Sequence, residues 1–333
     1  MSLSLAVETR RFPIAGSFTI SRGSRTEVAV VEARLSDGVA TARGECVPYP
    51  RYGESVESVS AAIEAMGPGL AGGLDREGLQ DAMPAGAARN ALDCAFWDLA
   101  AKRAGCRVWD LPEYRALGGR EPAPEITAYT LSLEAPEKMR ASAETNAHRP
   151  LLKVKLGGAE GDIERLRAVR QGAPHARIVI DANEGWDAAT YAAIAPELVG
   201  LGVEIEAQPL PAGEDDALAG MARPLPVCAD ESCHDRASLP ALAGKYHMVN
   251  VKLDKTGGLT EALLLRREAE AAGYAVMVGC MIGSSLAMAP AQLAAQGAAV
   301  VDLDAPLLLA EDRETPMLYE AGAIGPPPAA LWG

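Results

Sequence analysis

Three features that define other classes of protein are absent from this 333-residue chain. The first is an excess of positive charge, because 45 acidic residues outnumber 31 Lys and Arg and give a formal net charge of −14. An acidic surface disfavours binding to nucleic acid or to an anionic membrane through a broad basic face. A few local cations still suffice for a small anionic substrate, so we expect a small-molecule ligand.

The chain also lacks long apolar runs and paired cysteines. Gly, Pro or a charged residue interrupts each apolar run before about 18 residues, the length that a transmembrane helix needs. Residues 1–20 have no basic start followed by an apolar stretch and a cleavage site, so we expect no secretory signal. The six cysteines are scattered without a CxxC pair, which is typical of free thiols in a reducing compartment. We therefore expect a cytoplasmic protein, as a monomer or a homo-oligomer.

From about residue 126 onward the chain contains a repeat. Short apolar segments alternate with helical stretches, and the segments start roughly 22 to 27 residues apart. This period fits one strand and one crossover helix, and eight such units close into a parallel (β/α)8 barrel. The alternative, a doubly wound open sheet, would place a glycine-rich phosphate turn after an early strand, and none is obvious. The predicted strands are 126–131, 151–156, 177–182, 203–207, 226–230, 248–252, 275–279 and 300–303.

The first third of the chain has a different pattern. Residues 4–7 and 27–33 are strand-like, a turn signal follows at 36–38, and residues 56–66 and 85–103 have helical spacing. We predict an α+β capping domain over residues 1–118 and a (β/α)7-8 barrel domain over residues 119–309. The tail, residues 310–333, is expected to leave the barrel and join the capping domain.

Acidic residues stand at the ends of three successive predicted strands. Asp181 ends the third strand, Glu206 lies near the end of the fourth, and Asp230 ends the fifth. The C-terminal ends of barrel strands form the active-site face, so we expect these carboxylates to converge. Hard oxygen ligands suit Mg²⁺ or Mn²⁺, with water or substrate oxygens in the remaining positions. The alternative is three unrelated surface acids.

Three lysines are predicted on the same end of the barrel. Lys153 and Lys155 are two residues apart on strand 2 and point to the same face, whereas Lys252 ends strand 6. Strands 2 and 6 are opposite each other, so Lys155 and Lys252 could take a proton from one face of a planar intermediate and return one to the other. Repulsion from Lys153 would lower the pKa of Lys155. A structural salt network is the alternative, and Lys255 is a rival to Lys252 as the base.

These lysines and acids suit one kind of reaction. A proton next to a carboxylate is very weakly acidic, and its removal doubles the charge on the carboxylate oxygens. A bound dication stabilises that charge.

The strings that match a known family are Lys153-Val154-Lys155, Asp181-Ala182-Asn183, Ala229-Asp230-Glu231-Ser232 and Asn250-Val251-Lys252.

The four strings resemble the signature of the enolase superfamily, muconate-lactonizing-enzyme subgroup. Residues 22–25, 48–55, 84–93 and 252–258 are similar to the corresponding parts of the bacterial L-Ala-D/L-Glu dipeptide epimerases, and the resemblance covers nearly the whole chain. It implies an isomerase that uses Mg²⁺, or Mn²⁺, to epimerise the C-terminal residue of a dipeptide in peptidoglycan-peptide metabolism.

The resemblance also implies substrate contacts. Asp302 and Asp304 share one face of strand 8 and match the family's Asp-x-Asp motif, which would hold the free ammonium of a dipeptide. Arg25 matches the loop arginine that meets the side-chain carboxylate of a C-terminal glutamate, and Arg22 is a second candidate cation. Lys153 is expected to contact the substrate beside Lys155.

One position departs from the family pattern. The family's fourth-strand motif is Glu-Gln-Pro, whereas this chain has Glu206-Ala207-Gln208-Pro209, so Ala207 falls at the ligand position. On a regular strand Glu206 would face away from the barrel centre. We expect a local bulge to turn Glu206 inward as the third metal ligand. Otherwise the metal has lost a protein ligand.

Three other functions remain open on the sequence alone. The same fold and lysines could serve an N-acylamino acid racemase or an o-succinylbenzoate synthase-like enzyme. One lysine could instead form a Schiff base in a lyase. The change at Ala207 also makes a non-catalytic ligand-binding barrel conceivable. If the protein is an enzyme of any of these kinds, we expect the loops at residues 20–26 and 48–55 to cover the barrel mouth.

Overall fold

A computed structural model describes residues 2–157 and 160–333 of the chain. The strands are β1 (Ser4–Ile20), β2 (Gly23–Ser36), β3 (Thr41–Cys46), β4 (Glu125–Ile126), β5 (Tyr129–Leu131), β6 (Leu151–Lys155), β7 (Arg177–Asp181), β8 (Val203–Ala207), β9 (Val227–Ala229), β10 (Met248–Val251), β11 (Ala275–Gly279), β12 (Val300–Asp302), β13 (Tyr319–Glu320) and β14 (Ala323–Ile324). The α-helices are α1 (Val56–Glu64), α2 (Gly67–Ala71), α3 (Arg76–Ala82), α4 (Ala87–Ala104), α5 (Pro112–Ala116), α6 (Pro136–Thr145), α7 (Asp162–Gly172), α8 (Ala188–Gly200), α9 (Leu239–Leu242), α10 (Leu253–Thr256), α11 (Leu259–Ala271) and α12 (Ser285–Ala294).

The N-terminal part is an antiparallel sheet with helices packed on it. β1 and β2 form a long hairpin, and β3 pairs with the far side of β2. The helix predicted over residues 85–103 is confirmed as α4, which packs on β2 and β3. Gly44 permits this close packing, because a Cβ at that position would lie 2.1 Å from the carbonyl oxygen of Ala91. The two strand-like segments of the prediction are parts of much longer strands.

The predicted eight-stranded parallel barrel is confirmed. Its strands run in the order β5 to β12, and a parallel bridge between Thr127 and Val301 connects the two ends of the sheet. The segment predicted as the first strand is divided in two, however. Ile126 of β4 turns away to pair with Ala323 of β14 in a separate small sheet, so the first barrel strand begins at Tyr129.

The two faces of the barrel strands bury different sets of side chains. Outward-facing residues of β6 and β7, such as Val154 and Ile180, pack with the surrounding helices. The inward-facing residues fill the barrel centre with a compact apolar cluster. This inner cluster consists of Ala128, Leu151, Val179, Ile205, Ala207, Cys228, Met248, Met277 and Val300. The polar residues at the C-terminal ends of the strands therefore lie directly above this inner apolar cluster.

The C-terminal tail returns to helix α4. The indole of Trp332 donates to the carbonyl oxygen of Cys94 at 3.0 Å, and the backbone N–H of Gly333 donates to Asp98 at 2.8 Å. Arg43 of β3 donates to the carbonyl oxygen of Leu331. The division of the chain at residues 118 and 309 stays a prediction.

Over residues 2–157 and 160–333, no helix is long and apolar enough to cross a bilayer. All six cysteines are free thiols, four of them buried.

Candidate active site

A cavity of about 90 Å³ lies between the barrel mouth and the β1–β2 hairpin. Its floor is polar and includes Lys155, Asn183, Glu231 and Lys252. Its walls are largely apolar, with two arginines at the rim. The wall and rim residues are Ile14, Phe18, Ile20, Arg22, Gly23, Arg25, Val28, Val47, Tyr49, Tyr52, Cys280, Met281 and Ile282. The cavity therefore joins a charged floor to largely apolar walls.

Lys155 ends β6 and points into this cavity. Its ammonium donates to Asp181 at 2.7 Å and to Asn183 Oδ1 at 3.0 Å. Burial disfavours the charged form and lowers the pKa of Lys155; Asp181 opposes this shift, whereas the ammonium groups of Lys153 and Lys252 add to it. The predicted repulsion from Lys153 thus contributes, but burial is the larger cause.

Lys252 follows β10, four strands away from β6 in the eight-stranded barrel. It forms an ion pair with Asp230 at 2.7 Å. Burial disfavours its charge, but the carboxylate of Asp230 outweighs that effect and raises the pKa of Lys252. The two cavity lysines therefore have pKa values shifted in opposite directions.

Lys255 holds Asp230 from the other side. Its ammonium donates to Asp230 Oδ1 at 2.7 Å and to the carbonyl oxygen of Asn250 at 2.9 Å. Lys255 is 1% exposed and is not part of the cavity lining, so Lys252 is the better placed of the two rivals. Burial opposes ionisation of Asp230, yet Lys252 and Lys255 together hold its pKa well below the usual value.

A bulge in β8 decides which residue faces the barrel centre. Between Val203 and Ile205 the pairing with β7 shifts by one residue, and this shift places Ala207 opposite Asp181. Ile205 and Ala207 belong to the inner apolar cluster. Because side chains alternate along a strand, Glu206 points outward. The expected bulge exists, but the expectation that it turns Glu206 inward is wrong.

Glu206 lies between β8 and helix α8. Its carboxyl group is close to Tyr191 of α8, and neither of its oxygens has a hydrogen-bond partner among the described residues. Burial raises the pKa of Glu206 to about 8, so the group is largely protonated at neutral pH. A neutral carboxyl group on the outer side of the barrel is not positioned to bind a metal in the mouth.

Two carboxylates therefore remain as donors for a cation. In the described part of the chain, no three Asp, Glu, His or Cys side chains are grouped closely enough to hold a metal ion. Asp181 and Asp230 are both fully buried at the barrel mouth, on either side of β8. Mg²⁺ is commonly bound by one or two carboxylates together with water and substrate oxygens. This pair fits such an ion as an incomplete protein site.

A second acidic pair follows β12. Asp302 accepts from Lys153 at 2.6 Å, and Asp304 accepts from the backbone N–H of Thr130 at 2.5 Å. The Oδ1 atom of Asp302 is buried without a hydrogen-bond partner among the described residues. Burial, followed by the nearby charge of Asp302, raises the pKa of Asp304 to about 7. The carboxylate oxygens of this pair can therefore accept hydrogen bonds from a positively charged donor such as an ammonium group.

The loops that cover the mouth are held by charged hydrogen bonds. Arg22 donates to Glu231 at 2.8 Å, to the carbonyl oxygen of Asn183 at 2.8 Å and to Glu184 at 3.2 Å. Arg51 donates to both carboxylate oxygens of Glu184 at 2.7 Å. Sequence analysis missed Glu184, for which the signal in the sequence is the turn-forming string Asn183-Glu184-Gly185. In the structure, Asn183 and Glu184 both have left-handed backbone (φ 47 and 64).

Arg25 is available to a ligand at the cavity rim. Its guanidinium lies 5.6 Å from the ring centroid of Tyr49. No carboxylate pairs with it among the described residues, in contrast to Arg22. It stands on the hairpin side of the cavity, whereas the Asp302 and Asp304 pair belongs to the barrel wall.

Replacing Glu184 by Ala should loosen the cover of the cavity. The change removes the shared acceptor of Arg22 and Arg51, and charged hydrogen bonds are worth about 1.5–3 kcal/mol each. We expect kcat/KM to fall about tenfold while the barrel stays folded. Steady-state kinetics and thermal melting would measure both effects.

The matched control is Glu204→Ala, which removes the exposed ion pair with Arg177 on the other end of the barrel. An exposed pair contributes about 0–1 kcal/mol, so its kinetics should be unchanged. Equal kinetic effects of the two variants would contradict the role of Glu184 in holding the cover.

Comparison with known proteins identifies the family of this barrel with its two opposed lysines. Residues 3–112 match the N-terminal domain of mandelate racemase and muconate lactonizing enzyme, and residues 137–329 match the enolase C-terminal domain-like family. The chain therefore belongs to the mandelate racemase and muconate lactonizing enzyme group of the enolase superfamily.

Two curated relatives are similar over most of their length. The L-Ala-D/L-Glu epimerase of Escherichia coli is 48% identical over 94% of this chain and 96% of its own. The N-acetyl-D-glutamate racemase of a Pseudoalteromonas species is 43% identical over 87% of this chain and 90% of its own. Both relatives are isomerases.

Solved structures agree with this grouping. An enolase family member from Agrobacterium tumefaciens, with bound sodium and L-Ala-L-Glu, is 52% identical with a TM-score of 0.96 over 99% of this chain and 100% of its own. The dipeptide epimerase of Cytophaga hutchinsonii, complexed with Mg and D-Ala-L-Val, is 30% identical with a TM-score of 0.89 over 98% of this chain and 94% of its own.

Proposed function

We propose that this protein is a dipeptide epimerase that interconverts L-Ala-L-Glu and L-Ala-D-Glu. The observation that carries the proposal is the placement of Lys155 and Lys252 on opposite strands around one enclosed cavity. Arg25 stands at the rim of that cavity, and the Asp302 and Asp304 pair follows β12 next to Cys280 of the cavity wall. Together they suit a molecule with an ammonium at one end and a second carboxylate at the other.

The two lysines account for inversion at the α-carbon. One lysine amine takes the α-proton from one face of the C-terminal residue, and the electron pair of the broken C–H bond moves into the adjacent carboxylate. The ammonium of the other lysine then donates a proton to the opposite face. The carbon is inverted, and each lysine regains its starting state by exchange with solvent. The reverse reaction uses the same residues with their roles exchanged.

Asp181 and Asp230 would hold a divalent cation, for which we propose Mg²⁺ with Mn²⁺ as a substitute. When bound, such an ion stabilises negative charge on a neighbouring carboxylate. Lys153 stands between Asp181, at 3.1 Å, and Asp302, at 2.6 Å. It therefore bridges the two groups of acids and adds positive charge beside Lys155.

A second candidate is racemisation of an N-acylated glutamate, because one close relative has that name. Arg25 would serve both substrates equally. The acidic pair distinguishes them, since an N-acyl group brings no positive charge to Asp302 and Asp304. The buried and unpartnered Oδ1 atom of Asp302 favours the free amine of a dipeptide.

The function is tested by proton exchange in D2O. The protein with Mg²⁺ is incubated with L-Ala-L-Glu, other L-Ala dipeptides, N-acetyl-L-Glu and N-succinyl amino acids. Mass spectrometry then reports a gain of one dalton, and chiral chromatography reports inversion. We expect fastest exchange with L-Ala-L-Glu. Faster turnover of the N-acylated compounds would reject the dipeptide assignment.

Arg25→Met should reduce activity on acidic dipeptides selectively. A charge-assisted hydrogen bond to the side-chain carboxylate contributes about 1.5–3 kcal/mol, so kcat/KM for L-Ala-L-Glu should fall roughly tenfold to a hundredfold. The value for L-Ala-L-Leu should change little, because its side chain has no carboxylate. Parallel kinetics on the two dipeptides would measure the difference. Equal losses of kcat/KM would show that Arg25 does not bind the side-chain carboxylate.

Activity on free-amine dipeptides should decline as the pH falls below 7. The pKa of Asp304 is raised to about 7, so at lower pH its carboxyl becomes neutral and attracts the substrate ammonium less. Since kcat/KM reports groups of the free enzyme, we expect roughly a tenfold decrease between pH 8 and pH 6.

The variant Asp304→Asn provides the test of this pH dependence. Its activity should be low on every free-amine dipeptide, and the decline below pH 7 should disappear. A decline of the same size and midpoint in the variant would assign the titration to another group.

We further propose a cytoplasmic location and dipeptides from peptidoglycan as the substrate source. The six free thiols suit a reducing compartment. Fractionation of cells that carry a tagged chain would test the location, and recovery in the periplasm would contradict it.

A further inference from the structure

We propose that the cation site of this protein is one carboxylate short and that metal and substrate bind with strong positive coupling. The free protein holds a divalent cation weakly, and the substrate carboxylate supplies the missing negative charge. This inference rests on the proposed function for the choice of substrate. Its metal-binding part does not depend on the substrate and rests on residues of β6 to β10 and of the segments that follow these strands.

The geometry of β8 leaves a methyl group between two acids. β8 lies between β7 and β9 in the barrel, and Ala207 is in register with Asp181 on one side and with Cys228 on the other. Asp230 follows two residues after Cys228 and therefore has the same facing. Ala207 is thus the position from which a third carboxylate would reach the ion, and it offers no oxygen.

Glu206 does not compensate for this loss. Its side chain points to Tyr191 on the outer side of the barrel, and both of its oxygens lack a partner among the described residues. Reaching the mouth would require β8 to slip by one residue. Such a slip would move Ile205 and Ala207 out of the inner cluster and turn apolar side chains to the wrong face.

The charges already present around the two aspartates oppose a free cation. Asp181 forms ion pairs with Lys153 and Lys155, and Asp230 forms ion pairs with Lys252 and Lys255. Each acid is therefore neutralised before an ion arrives. An incoming dication would be repelled by four nearby ammonium groups and would gain only two carboxylates, because the neighbouring Glu231 accepts from Arg22 and Asn183 instead.

A substrate changes this balance. Its α-carboxylate brings one negative charge and two oxygens into the cavity that Lys155 and Lys252 line. A bound ion would then have three anionic donors, and carboxylate count is a main determinant of affinity at such sites. Because coupling is reciprocal, the ion must tighten substrate binding by the same factor.

Titration of the intact protein with Mn²⁺ tests the inference without measuring turnover. Free Mn²⁺ is followed by electron paramagnetic resonance, alone and with saturating L-Ala-L-Glu. We expect the dipeptide to tighten Mn²⁺ binding at least tenfold. Equal Mn²⁺ affinity with and without bound dipeptide would overturn the proposed coupling.

Substitutions at positions 206 and 207 test whether a carboxylate at position 207 completes the cation site. Ala207→Glu, or the shorter Ala207→Asp if the longer side chain does not fold, should tighten Mn²⁺ binding of the free protein at least tenfold and reduce the coupling. The matched control Glu206→Gln should bind Mn²⁺ as the unmodified chain does. Unchanged affinity in folded variants at position 207, or weakened affinity in Glu206→Gln, would overturn the inference.

The two proposals can fail separately. Calorimetry with L-Ala-L-Glu and Mn²⁺ that detects no heat of dipeptide binding would reject the substrate and hence the coupling. The Mn²⁺ affinity of Ala207→Glu in the absence of dipeptide would still decide whether the site is one carboxylate short.

Discussion

Replacing Lys155 or Lys252 by Ala should each lower epimerisation by about 10²–10⁴-fold, the usual contribution of a general acid or base. Inversion needs both a base on one face and an acid on the other, so neither lysine can substitute for its partner. Proton exchange without inversion can survive, because the remaining lysine still removes the proton that faces it. Lys155→Ala and Lys252→Ala should therefore retain exchange of opposite epimers.

The measurement separates exchange from inversion. Each epimer of Ala-Glu is incubated in D2O with each variant, and mass spectrometry and chiral chromatography are read in parallel. Lys138→Ala, which changes an exposed lysine on α6, is the control and should retain full activity. If both cavity variants inverted the dipeptide at the original rate, the model of two opposed bases would be rejected.

Asp230→Asn should abolish both Mn²⁺ binding and activity and should also destabilise the fold. Asn carries no charge, so the ammonium groups of Lys252 and Lys255 would lose their buried acid. Removing one partner of a buried ion pair typically costs about 3–5 kcal/mol. We expect turnover to fall by at least about a thousandfold, which corresponds to roughly 4 kcal/mol of transition-state stabilisation.

Thermal melting, Mn²⁺ titration and kinetics would test these three losses in one variant. Asp216→Asn is the control, because Asp216 also pairs with a lysine, Lys245, but is almost fully exposed. It should leave all three quantities unchanged. Wild-type turnover of Asp230→Asn after exhaustive chelation would show that neither this carboxylate nor a metal is needed.

The opposite pKa shifts of the two cavity lysines come from their charged neighbours and not from burial. Lys155 and Lys252 are both almost inaccessible to water, and burial alone would lower both values. Asp181 is the carboxylate that favours the charge of Lys155, and Lys153 and Lys252 repel that charge, whereas Asp230, Glu231 and Asp181 all favour the charge of Lys252. One lysine is thereby favoured as the free amine and the other as the ammonium. Such a difference within a pair is the usual sign of a base and an acid.

The strands of the barrel were predictable because their signals are local. Each is a short apolar run, and the spacing between runs fits a strand and its crossover helix. Val203–Ala207 and Ala275–Gly279 have the predicted bounds, and the others differ at their ends by a few residues. The exception is the first segment, where Ile126 pairs with β14 instead of continuing the barrel. That pairing joins residues almost two hundred positions apart, and no local pattern contains it.

The placement of the candidate site residues was predictable to the same extent. Alternation along a strand puts Lys153 and Lys155 on one face, and the strand ends bring Asp181 and Asp230 to one end of the barrel. These inferences need only the position of each residue within its own strand. Their roles in catalysis and in metal binding stay predictions.

What the sequence by itself determined is the barrel, the end of it that carries charge, and the residue types gathered there. Only the tertiary structure decided how neighbouring elements meet. The bulge in β8 turns Ala207 inward and Glu206 outward. Lys255 forms an ion pair with Asp230 behind the cavity. Glu184 forms ion pairs with arginines on loops more than a hundred residues away in the chain. Register between strands and contacts between distant loops depend on the packing of the whole chain, because they are set by the burial of both partners together.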